Sequence, residues 1–224
     1  MANALGQNIL ITGNRGYIGS KLALNLQADG MDLKDGIDAS DKKNYKKKYD
    51  IIVHLAAHLK PINDDDIKLH RTVAEIAKET NAHVIYASSA SIYQPDNLYA
   101  MQKLYGEMLF SQYGILRFFN VYDGGNGIVD IVRNNREKVK INGNGEQTRD
   151  FVHVGDVVRA IEKAVEIKWT GIAEIGTGKA ISINELLHLL GCWNYEYVNN
   201  SPGILHSEAK LNPLFPWKPQ HILG

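Results

Sequence analysis

A tyrosine and a lysine are the two residues of this chain best placed to move a proton. They stand four residues apart in Tyr99-Ala-Met-Gln-Lys103, inside a stretch predicted to be one helix over residues 99–113. Side chains at positions i and i+4 lie on one face of a helix, so the phenol and the ammonium are neighbours. A free tyrosine has a pKa of about 10, and a lysine one turn away favours the phenolate and lowers that pKa. The pair can therefore take a proton from a hydroxyl group.

A serine cluster, Ser88-Ser89-Ala90-Ser91, precedes this helix and follows a predicted strand at residues 84–87. Ligands of open parallel sheets bind outside the carboxyl ends of the strands. A serine in that position can hydrogen-bond the same hydroxyl that Tyr99 deprotonates. An isolated Tyr-x-x-x-Lys is usually a surface tyrosine beside a solvated lysine, and it is the serine cluster that favours a catalytic interpretation.

The third feature is rich in glycine and lies near the amino terminus, in Asn8-Ile-Leu-Ile-Thr-Gly-Asn-Arg-Gly-Tyr-Ile-Gly19. Residues 9–12 are predicted to be a short buried strand, and a helix follows the glycines. Such a turn points backbone N–H groups at the mouth of the helix, which suits a pyrophosphate. Gly13 supplies a positive φ for the turn, Gly16 allows a ligand to approach closely, and Gly19 allows the helix to pack on its strand.

Strand and helix patterns alternate along the first half of the chain. This alternation predicts an α/β fold, a doubly wound parallel sheet covered by helices. The other strands predicted there are residues 30–38, 50–57, 84–87 and 115–119, and a second helix is predicted over residues 65–80. The short polar segment between the second and third strands leaves room for one crossover helix and no additional strand. We therefore expect a sheet one strand narrower than is usual for this class.

The second half of the chain has a different texture, with loop signals in Gly124-Gly-Asn-Gly127 and Asn142-Gly-Asn-Gly145. We expect a dinucleotide-binding domain of the Rossmann type and a small carboxy-terminal lobe that binds substrate. The first comprises residues 1–120, to which the strand and helix of residues 150–168 return, and the second comprises residues 121–149 and 169–224.

The composition argues against several classes of function. Lys plus Arg and Asp plus Glu balance at 25 each, so neither a nucleic-acid-binding nor a membrane-binding surface is indicated. The single cysteine, Cys192, rules out a disulfide framework within the chain and fits a reducing compartment. No apolar run has the length of a membrane span, and no signal-peptide pattern begins the chain. We expect a cytoplasmic protein that binds no metal, no nucleic acid and no membrane.

Taken together, the motifs resemble those of the extended short-chain dehydrogenase/reductases, and more narrowly those of the NAD-dependent nucleotide-sugar epimerase/dehydratase family. The resemblance covers nearly the whole chain in family order. Besides the three features above it rests on the segments His54-Leu-Ala-Ala57, Leu116-Arg-Phe-Phe-Asn-Val-Tyr122, Gly145-Glu-Gln-Thr-Arg-Asp-Phe-Val-His-Val154, Ile175-Gly-Thr-Gly178 and Ser182-Ile-Asn-Glu-Leu186. It implies NAD as the cofactor and a nucleotide sugar as the substrate.

The resemblance also implies roles for individual residues. Tyr99 is the catalytic base, Lys103 binds the nicotinamide ribose and tunes Tyr99, and Ser89 is the third catalytic residue. Ser88 and Ser91 flank Ser89, and their roles stay open. The cofactor-binding residues implied beside Tyr99 and Lys103 are Gly13, Gly16, Tyr17, Ile18, Gly19, Leu55, Ala56 and Ala57. The substrate-binding residues implied are Ser89, Asn120 and Arg149.

The choice between NAD and NADP depends on charged residues near the glycines. Asp38 follows Gly19 at close to the usual offset of about twenty residues, where an acid pairs with the ribose hydroxyls of NAD and repels the phosphate of NADP. Asp35 is the reserve candidate, and either acid can instead be a polar turn residue. Arg15 favours the opposite choice, because its guanidinium could meet a 2′-phosphate. We include both Asp38 and Arg15 among the cofactor-binding residues and expect NAD.

Arg149 suits a diphosphate physically, since a guanidinium can bind phosphate oxygens bidentately. Its structural alternative is a salt bridge to Asp150 or Asp156. His54 and His153 fall within apolar strands and are expected to be packed core histidines.

The expected function is an NAD-dependent nucleotide-sugar 4-epimerase of the UDP-hexose type, acting as a homodimer. Dehydratases of the family usually carry an acidic pair after the serine or threonine, and Ala90-Ser91 at that place favours epimerisation. The segment between Ser89 and Tyr99 is shorter than is usual in the family, which leaves the sugar and the nucleotide open. One alternative is an NAD(P)H-dependent reductase of 4-keto sugars. Another is a non-catalytic cofactor sensor, although such proteins commonly lack the tyrosine or the lysine.

Overall fold

The structure is a computed structural model, and it describes residues 6–58, 63–125, 127–134, 138–198 and 200–223. The chain divides into two compact units. Unit 1 comprises Met1–Arg117 and Val158–Ala173, and unit 2 comprises Phe118–Val157 and Glu174–Gly224. Among the described residues, no helix is both long enough and apolar enough to cross a membrane.

The regular elements follow one another along the chain as strands and helices of modest length. The strands are β1 (Ile9–Thr12), β2 (Asp29–Met31), β3 (Ile51–His54), β4 (His83–Ser89), β5 (Gly114–Phe118), β6 (Asn120–Tyr122), β7 (Val139–Asn142), β8 (Thr148–His153), β9 (Gly171–Ile175), β10 (Ala180–Ser182) and β11 (Tyr195–Val198). The helices are α1 (Tyr17–Leu26), α2 (Asp65–Thr80), α3 (Leu98–Leu109), α4 (Ile128–Asn134), α5 (Val154–Glu166) and α6 (Ile183–Leu189).

A central sheet of six strands in the order β2-β1-β3-β4-β5-β9 organises the fold. Strand β1 pairs in parallel with β2 and with β3, and β3 pairs in parallel with β4. All residues of β1 and β3 are buried, which explains why their sequences are continuously apolar rather than alternating. The prediction of an α/β fold with a parallel sheet is confirmed.

Helix α2 covers this sheet with an apolar stripe. Leu69, Val73 and Ile76, spaced at three and four residues, are buried in one core cluster with strand residues that include Leu10 and Ile52. This spacing places the three side chains on one face of the helix, and burial of that face stabilises it. The predicted bounds of this helix, residues 65–80, are confirmed.

The connection between β2 and β3 differs from the prediction. The strand predicted over residues 30–38 begins at Asp29 and ends at Met31, and two short 3-10 turns, Leu33–Asp35 and Lys42–Asn44, take the place of a crossover helix. Asp32 ends the strand because its carboxylate accepts the backbone N–H of Lys34 and so begins the first turn. Local side-chain hydrogen bonds outcompete the weak alternation of apolar residues here.

Unit 2 has its own small sheets and core. Strand β8 pairs in parallel with β6 and antiparallel with β10, and β7 pairs in parallel with β11. Strand β8 therefore belongs to unit 2, whereas the prediction returned the strand and the helix of residues 150–168 together to the first domain. The reason is its partners, since both strands that pair with β8 lie in unit 2. Only the part of α5 from Val158 onwards belongs to unit 1.

Candidate active site

The glycine turn after β1 is built as the sequence predicts. Gly13 has a φ of 76°, and its carbonyl accepts the N–H of Gly16 at 3.0 Å. A Cβ atom on Gly13 would lie 2.8 Å from the backbone nitrogen of Ala56, and one on Gly19 would overlap the Gly13 carbonyl. Larger residues would therefore displace the turn from β3 or from helix α1. Tyr17 and Ile18 begin α1, where the first N–H groups of a helix lack intrahelical acceptors and favour an anion.

A cavity of about 540 Å³ lies beside this turn. Six of the predicted cofactor-binding residues line it: Gly13, Gly16, Asp38, Leu55, Ala56 and Ala57. The other predicted cofactor-binding residues are not among the lining residues: Arg15, Tyr17, Ile18, Gly19, Tyr99 and Lys103. Its size, the glycines that keep one wall free of side chains and the helix amino terminus fit a dinucleotide.

Asp32 is a cavity residue that sequence reasoning missed. It follows β2 directly, lines the cavity, and its carboxylate accepts the backbone N–H of Arg15 in the glycine turn at 3.0 Å. An acid after the second strand is the feature that recognises the ribose of NAD. The expected offset of about twenty residues pointed past it, because α1 ends at Leu26 and β2 starts only three residues later.

The other charged residues near the turn are held by local contacts. Asp38 also lines the cavity, but its carboxylate accepts the N–H and the hydroxyl of Ser40 at 2.7 and 2.9 Å. Asp38 is thus not at the end of the second strand, as the prediction assumed. Arg15 is exposed, and its side chain lies 3.7 Å from the carboxylate of Asp35. Arg15 is therefore partly neutralised by the acid that we considered as the reserve candidate.

Ser89, Tyr99 and Lys103 come together at the end of β4 and the start of α3. Ser89 is the last residue of β4, and its side chain hydrogen-bonds the Tyr99 hydroxyl. Asn97 caps α3 by accepting the N–H of Ala100, which places Tyr99 and Lys103 in its first turns. The Lys103 Nζ atom lies 5.8 Å from the centre of the Tyr99 ring and donates to the Ala87 carbonyl at 2.7 Å. The three predicted catalytic residues thus form one cluster.

Burial, not the lysine, dominates the electrostatics of Tyr99. Burial raises the pKa of Tyr99 above its ordinary value, the Ser89 hydrogen bond lowers it, and the negative charge of Asp66 raises it further. The net shift of the Tyr99 pKa is therefore upward, whereas the sequence predicts a lowering by Lys103. Burial also lowers the pKa of Lys103 to about 8, against the opposing effect of Asp66. The lysine is thus close to its titration range under mildly alkaline conditions.

Asp66 and His58 are further site residues that the sequence motifs did not indicate. Asp66 has 1% of its surface exposed, and its Oδ1 atom lies 2.7 Å from the His58 Nδ1 atom. The backbone N–H of His58 donates to both carboxylate oxygens of Asp66. His58 lines the cavity, and the charge of its partner Asp66 raises the pKa of both Tyr99 and Lys103. This buried acid therefore interacts with both the cavity wall and the catalytic cluster.

Ser88 forms a structural hydrogen bond and does not contact Tyr99. Its hydroxyl donates to the buried carboxylate of Glu107, which also accepts two hydrogen bonds from Arg117. This leaves Ser89 as the serine of the cluster that contacts the tyrosine. Ser91 donates its backbone N–H to the Ser89 hydroxyl at 3.2 Å and so closes the turn after β4.

The two predicted substrate-binding residues outside the serine cluster lie in unit 2. Asn120 begins β6 and is partly buried. Arg149 lies in β8, and its guanidinium donates to the carbonyl oxygens of Thr148, Pro202 and Ile204 at 2.6–3.0 Å. It therefore fastens the segment around Pro202, and neither Asp150 nor Asp156 is its partner among the described residues.

The remaining expectations about the site concern metals and histidines. Within the described ranges of the chain, no group of three or more His, Cys, Asp or Glu side chains is arranged to hold a metal ion. His54 is fully buried, as predicted. His153 is only partly buried, and its Nε2 atom lies 2.9 Å from the carboxylate of Asp123.

Comparisons with known proteins address the family and the fold of the chain. The model of the NAD dependent epimerase/dehydratase family matches residues 9–176. A putative UDP-glucose 4-epimerase of Methanocaldococcus jannaschii is 27% identical, over 81% of this chain and 81% of that protein. The structure of Helicobacter pylori ADP-L-glycero-D-manno-heptose-6-epimerase is similar with a TM-score of 0.80 and 26% identity, over 96% of this chain and 92% of that one. The structure of MoeE5 in complex with UDP-glucose and NAD has a TM-score of 0.81 and 23% identity, over 96% and 94% of the two chains.

Proposed function

Because the chain belongs to the NAD-dependent epimerase/dehydratase family, we propose that it is a UDP-hexose 4-epimerase that uses NAD. One observation carries the proposal: the Ser89 side chain hydrogen-bonds the Tyr99 hydroxyl, with Lys103 in the next turn of the same helix. In this arrangement a substrate hydroxyl that meets Tyr99 also meets the hydrogen-bonding group of Ser89. The chain therefore keeps a complete set of residues for proton transfer.

The residues around the cavity support NAD as the cofactor. Gly13 and Gly16 keep the wall open for the pyrophosphate, and Asp32 or Asp38 would pair with the adenosine ribose. NAD, when bound, would supply reversible hydride transfer with the sugar carbon. Arg15 would be available to a 2′-phosphate only at the expense of its contact with Asp35, which argues against NADP.

Within this proposal each catalytic residue has a defined role. Tyr99 takes the proton of the C4 hydroxyl as the carbon is oxidised, and gives a proton back when the carbon is reduced. Ser89 holds the hydroxyl against Tyr99. Lys103 binds the nicotinamide ribose, and its positive charge favours the phenolate. Ala90-Ser91 supplies no acid beyond Ser89 for the removal of water, which favours epimerisation over dehydration.

Asn120 and Arg149 are proposed to bind the nucleotide diphosphate, and for Arg149 this requires a change of partners. Its guanidinium donates to three carbonyl oxygens. A diphosphate would compete for these donors with stronger, charge-assisted hydrogen bonds. Binding would then loosen the segment around Pro202.

The same chain offers a surface for self-association. Met101, Leu104 and Met108 form an exposed apolar row on α3, with 57%, 39% and 70% of their surfaces exposed. We propose that this row supports the homodimer, which sedimentation equilibrium would detect. The single cysteine, Cys192, supports the cytoplasm as the compartment.

The stoichiometry of NAD tests the function. With UDP-galactose or UDP-N-acetylglucosamine and a trace of NAD, we expect the C4 epimer to accumulate toward equilibrium without a net change in the absorbance of reduced nicotinamide. An ADP-heptose serves as the comparison substrate, and its epimerisation alone would contradict the UDP-hexose assignment. Steady oxidation of NAD(P)H by a 4-keto sugar, without epimer formation from any nucleotide sugar, would establish the reductase instead.

A further inference from the structure

A row of hydrogen-bonded polar side chains runs through the core of unit 1. It consists of Thr12, His54, His70 and Tyr86, and each of the four has no exposed surface. Thr12 Oγ1 lies 2.7 Å from His54 Nδ1, and His54 Nε2 lies 2.8 Å from His70 Nδ1. His70 Nε2 lies 3.3 Å from the Tyr86 hydroxyl. Because buried polar groups are costly unless they are paired, each link has to have one donor and one acceptor.

The two ends of the row determine its direction. At one end the backbone N–H of Ala56 donates to Thr12 Oγ1 at 3.4 Å, and at the other the Tyr86 hydroxyl donates to the Lys103 carbonyl at 3.4 Å. A backbone N–H can only donate and a carbonyl can only accept. With both ends fixed, Thr12 donates to His54 Nδ1, His54 Nε2–H donates to His70 Nδ1, and His70 Nε2–H donates to Tyr86. Both histidines are then neutral and carry their proton on Nε2.

The opposite direction is less favourable. Tyr86 would donate to His70, and the Lys103 carbonyl would lose that hydrogen bond. The Thr12 hydroxyl would receive a hydrogen bond from His54 as well as the one from Ala56. Its own proton would then have no acceptor in the described part of the chain, where Thr12 is fully buried.

A positive charge on either histidine would also break the row. A protonated imidazole has two donors and no acceptor, so the Thr12 hydroxyl would have to accept from His54 and its own proton would lose its acceptor. Burial lowers the pKa of His70 to about 3 and that of His54 well below its ordinary value, and the charge of Lys103 acts in the same direction on both. Their other ring contacts are with Tyr86 and Phe110, and no carboxylate of the described residues raises the pKa of either histidine.

Three members of the row lie close in sequence to residues of the candidate site. Thr12 precedes Gly13, His54 precedes the cavity residues Leu55 and Ala56, and Tyr86 lies three positions before Ser89. The last acceptor is the carbonyl of Lys103 itself. Gly106, one turn along α3, leaves the space that the Tyr86 hydroxyl occupies, since a Cβ atom there would overlap it. The row thus joins the glycine turn to the helix of Tyr99 and Lys103.

We propose that His54 and His70 are positioning residues, a neutral one-directional hydrogen-bond relay that holds the cofactor-lining loop at Ala56 against the turn of α3 that carries Lys103. The inference deepens the proposed function, and only the part of its test that measures turnover rests on that function. The tautomers and the binding of NAD are separate observables.

The tautomers are tested by long-range ¹H–¹⁵N NMR of the full chain labelled at histidine. We expect two histidines with the Nε2–H pattern that stays unchanged between pH 8.5 and 5.5, assigned by their loss in His54→Gln and His70→Gln. His83, which faces the Trp169 carbonyl through Nε2, is the reference for the same pattern, and His58, which faces Asp66 through Nδ1, is the reference for the opposite one. An Nδ1–H pattern or a titration of either buried histidine in this range overturns the relay.

The positioning role is tested with Tyr86→Phe, which removes the last donor and keeps the ring. We expect the Kd for NAD to rise about threefold to tenfold, as for the loss of one hydrogen bond, and turnover to fall by a similar factor. Tyr113→Phe is the matched control, since Tyr113 packs on the same core but lies outside the row. A folded Tyr86→Phe with an unchanged Kd overturns the role, and if this variant does not fold the tautomers of the wild-type chain decide. Altered NAD binding without epimerisation by the wild type would refute the proposed function alone.

Discussion

The two units treat their predicted site residues in opposite ways. In unit 1, Ser89 contacts Tyr99, and six predicted cofactor residues line one cavity. In unit 2, the guanidinium of Arg149 donates to three carbonyl oxygens of its own unit. The residues of unit 1 are thus arranged for a ligand, whereas Arg149 is occupied by the chain itself.

This difference shows that a sequence motif determines the geometry of a site only within the strand, turn or helix that contains the motif. The glycine turn and the Tyr99/Lys103 spacing determine their geometry within one strand-turn-helix or one helix. Arg149 is a single residue whose partners, Pro202 and Ile204, lie more than fifty positions away. Its role therefore depends on a segment that no motif describes.

Tyr99→Phe should reduce turnover more than any other substitution considered, because it removes the proposed base of unit 1. Loss of a general base reduces turnover by about a hundredfold or more. Because the ring is kept, the thermal unfolding midpoint and the Kd for NAD should stay near those of the wild type. Initial rates of UDP-galactose epimerisation measure the effect, and Tyr105→Phe on the same helix serves as the control. A rate within a few-fold of the wild type would exclude Tyr99 as the base.

Asp32→Asn and Asp38→Asn test which acid of unit 1 contacts the ribose of NAD, because both acids line the cavity. We expect Asp32→Asn to weaken NAD binding roughly tenfold or more, the scale of a lost hydrogen bond to a charged group, and to reduce the preference over NADP. Asp38→Asn should act less, since Ser40 already occupies its carboxylate. Calorimetric titration with both cofactors measures this. If Asp38→Asn weakened NAD binding more than Asp32→Asn did, Asp38 would be the residue that contacts the ribose.

Arg149→Met tests whether the guanidinium of this unit 2 residue binds the diphosphate or has only a structural role. If the guanidinium binds the diphosphate, the KM for the nucleotide sugar rises several-fold more than kcat falls. The variant also leaves carbonyl oxygens without a donor, so the free energy of unfolding should fall by about 1–3 kcal/mol. Urea unfolding and steady-state kinetics separate the two effects, and Arg149→Lys keeps the charge without the fork. Lower stability with an unchanged KM would leave Arg149 a purely structural residue.

The sequence predicts the elements that a long periodic pattern or an adjoining glycine turn specifies. Helix α2 and strand β1 are found at their predicted bounds, because a stripe of apolar residues or a glycine turn specifies them locally. The strands of three or four residues in unit 2, among them β7 and β11, carry too few residues for a pattern and form only by pairing with each other. The conformational preference of a single residue is likewise too weak to predict such a strand.

The candidate site shows the same limit. Ser89, Tyr99 and Lys103 are brought together as predicted, since helical spacing and the strand end decide their positions. Asp32 was missed because its position depends on where β2 ends, which a hydrogen bond to the Lys34 backbone decides. Asp66 was missed because only the fold brings its carboxylate near Lys103. Contacts between elements distant in sequence leave no local signal.

The smallest effect expected is that of Asp66→Asn on the pH dependence of turnover. Burial lowers the pKa of Lys103 to about 8, and the charge of Asp66 opposes this effect. The ammonium favours the phenolate of Tyr99, so activity should decline as pH rises through the pKa of Lys103. Removing the carboxylate charge lowers that pKa further. The alkaline limb of the pH profile should therefore move to lower pH, by roughly half a unit or more, the scale set by a nearby opposite charge.

The control for this prediction is Asp64→Asn, because Asp64 is exposed and makes no side-chain cap at the start of the same helix. Profiles of kcat between pH 6 and 10, measured with saturating NAD and UDP-galactose, compare the two variants with the wild type. Asp64→Asn should leave the alkaline limb in place. An alkaline limb that stays in place while the acidic limb moves to lower pH in Asp66→Asn would mean that loss of the acid acts mainly on Tyr99, whose pKa Asp66 raises. The buried acid would then oppose the base rather than support the lysine.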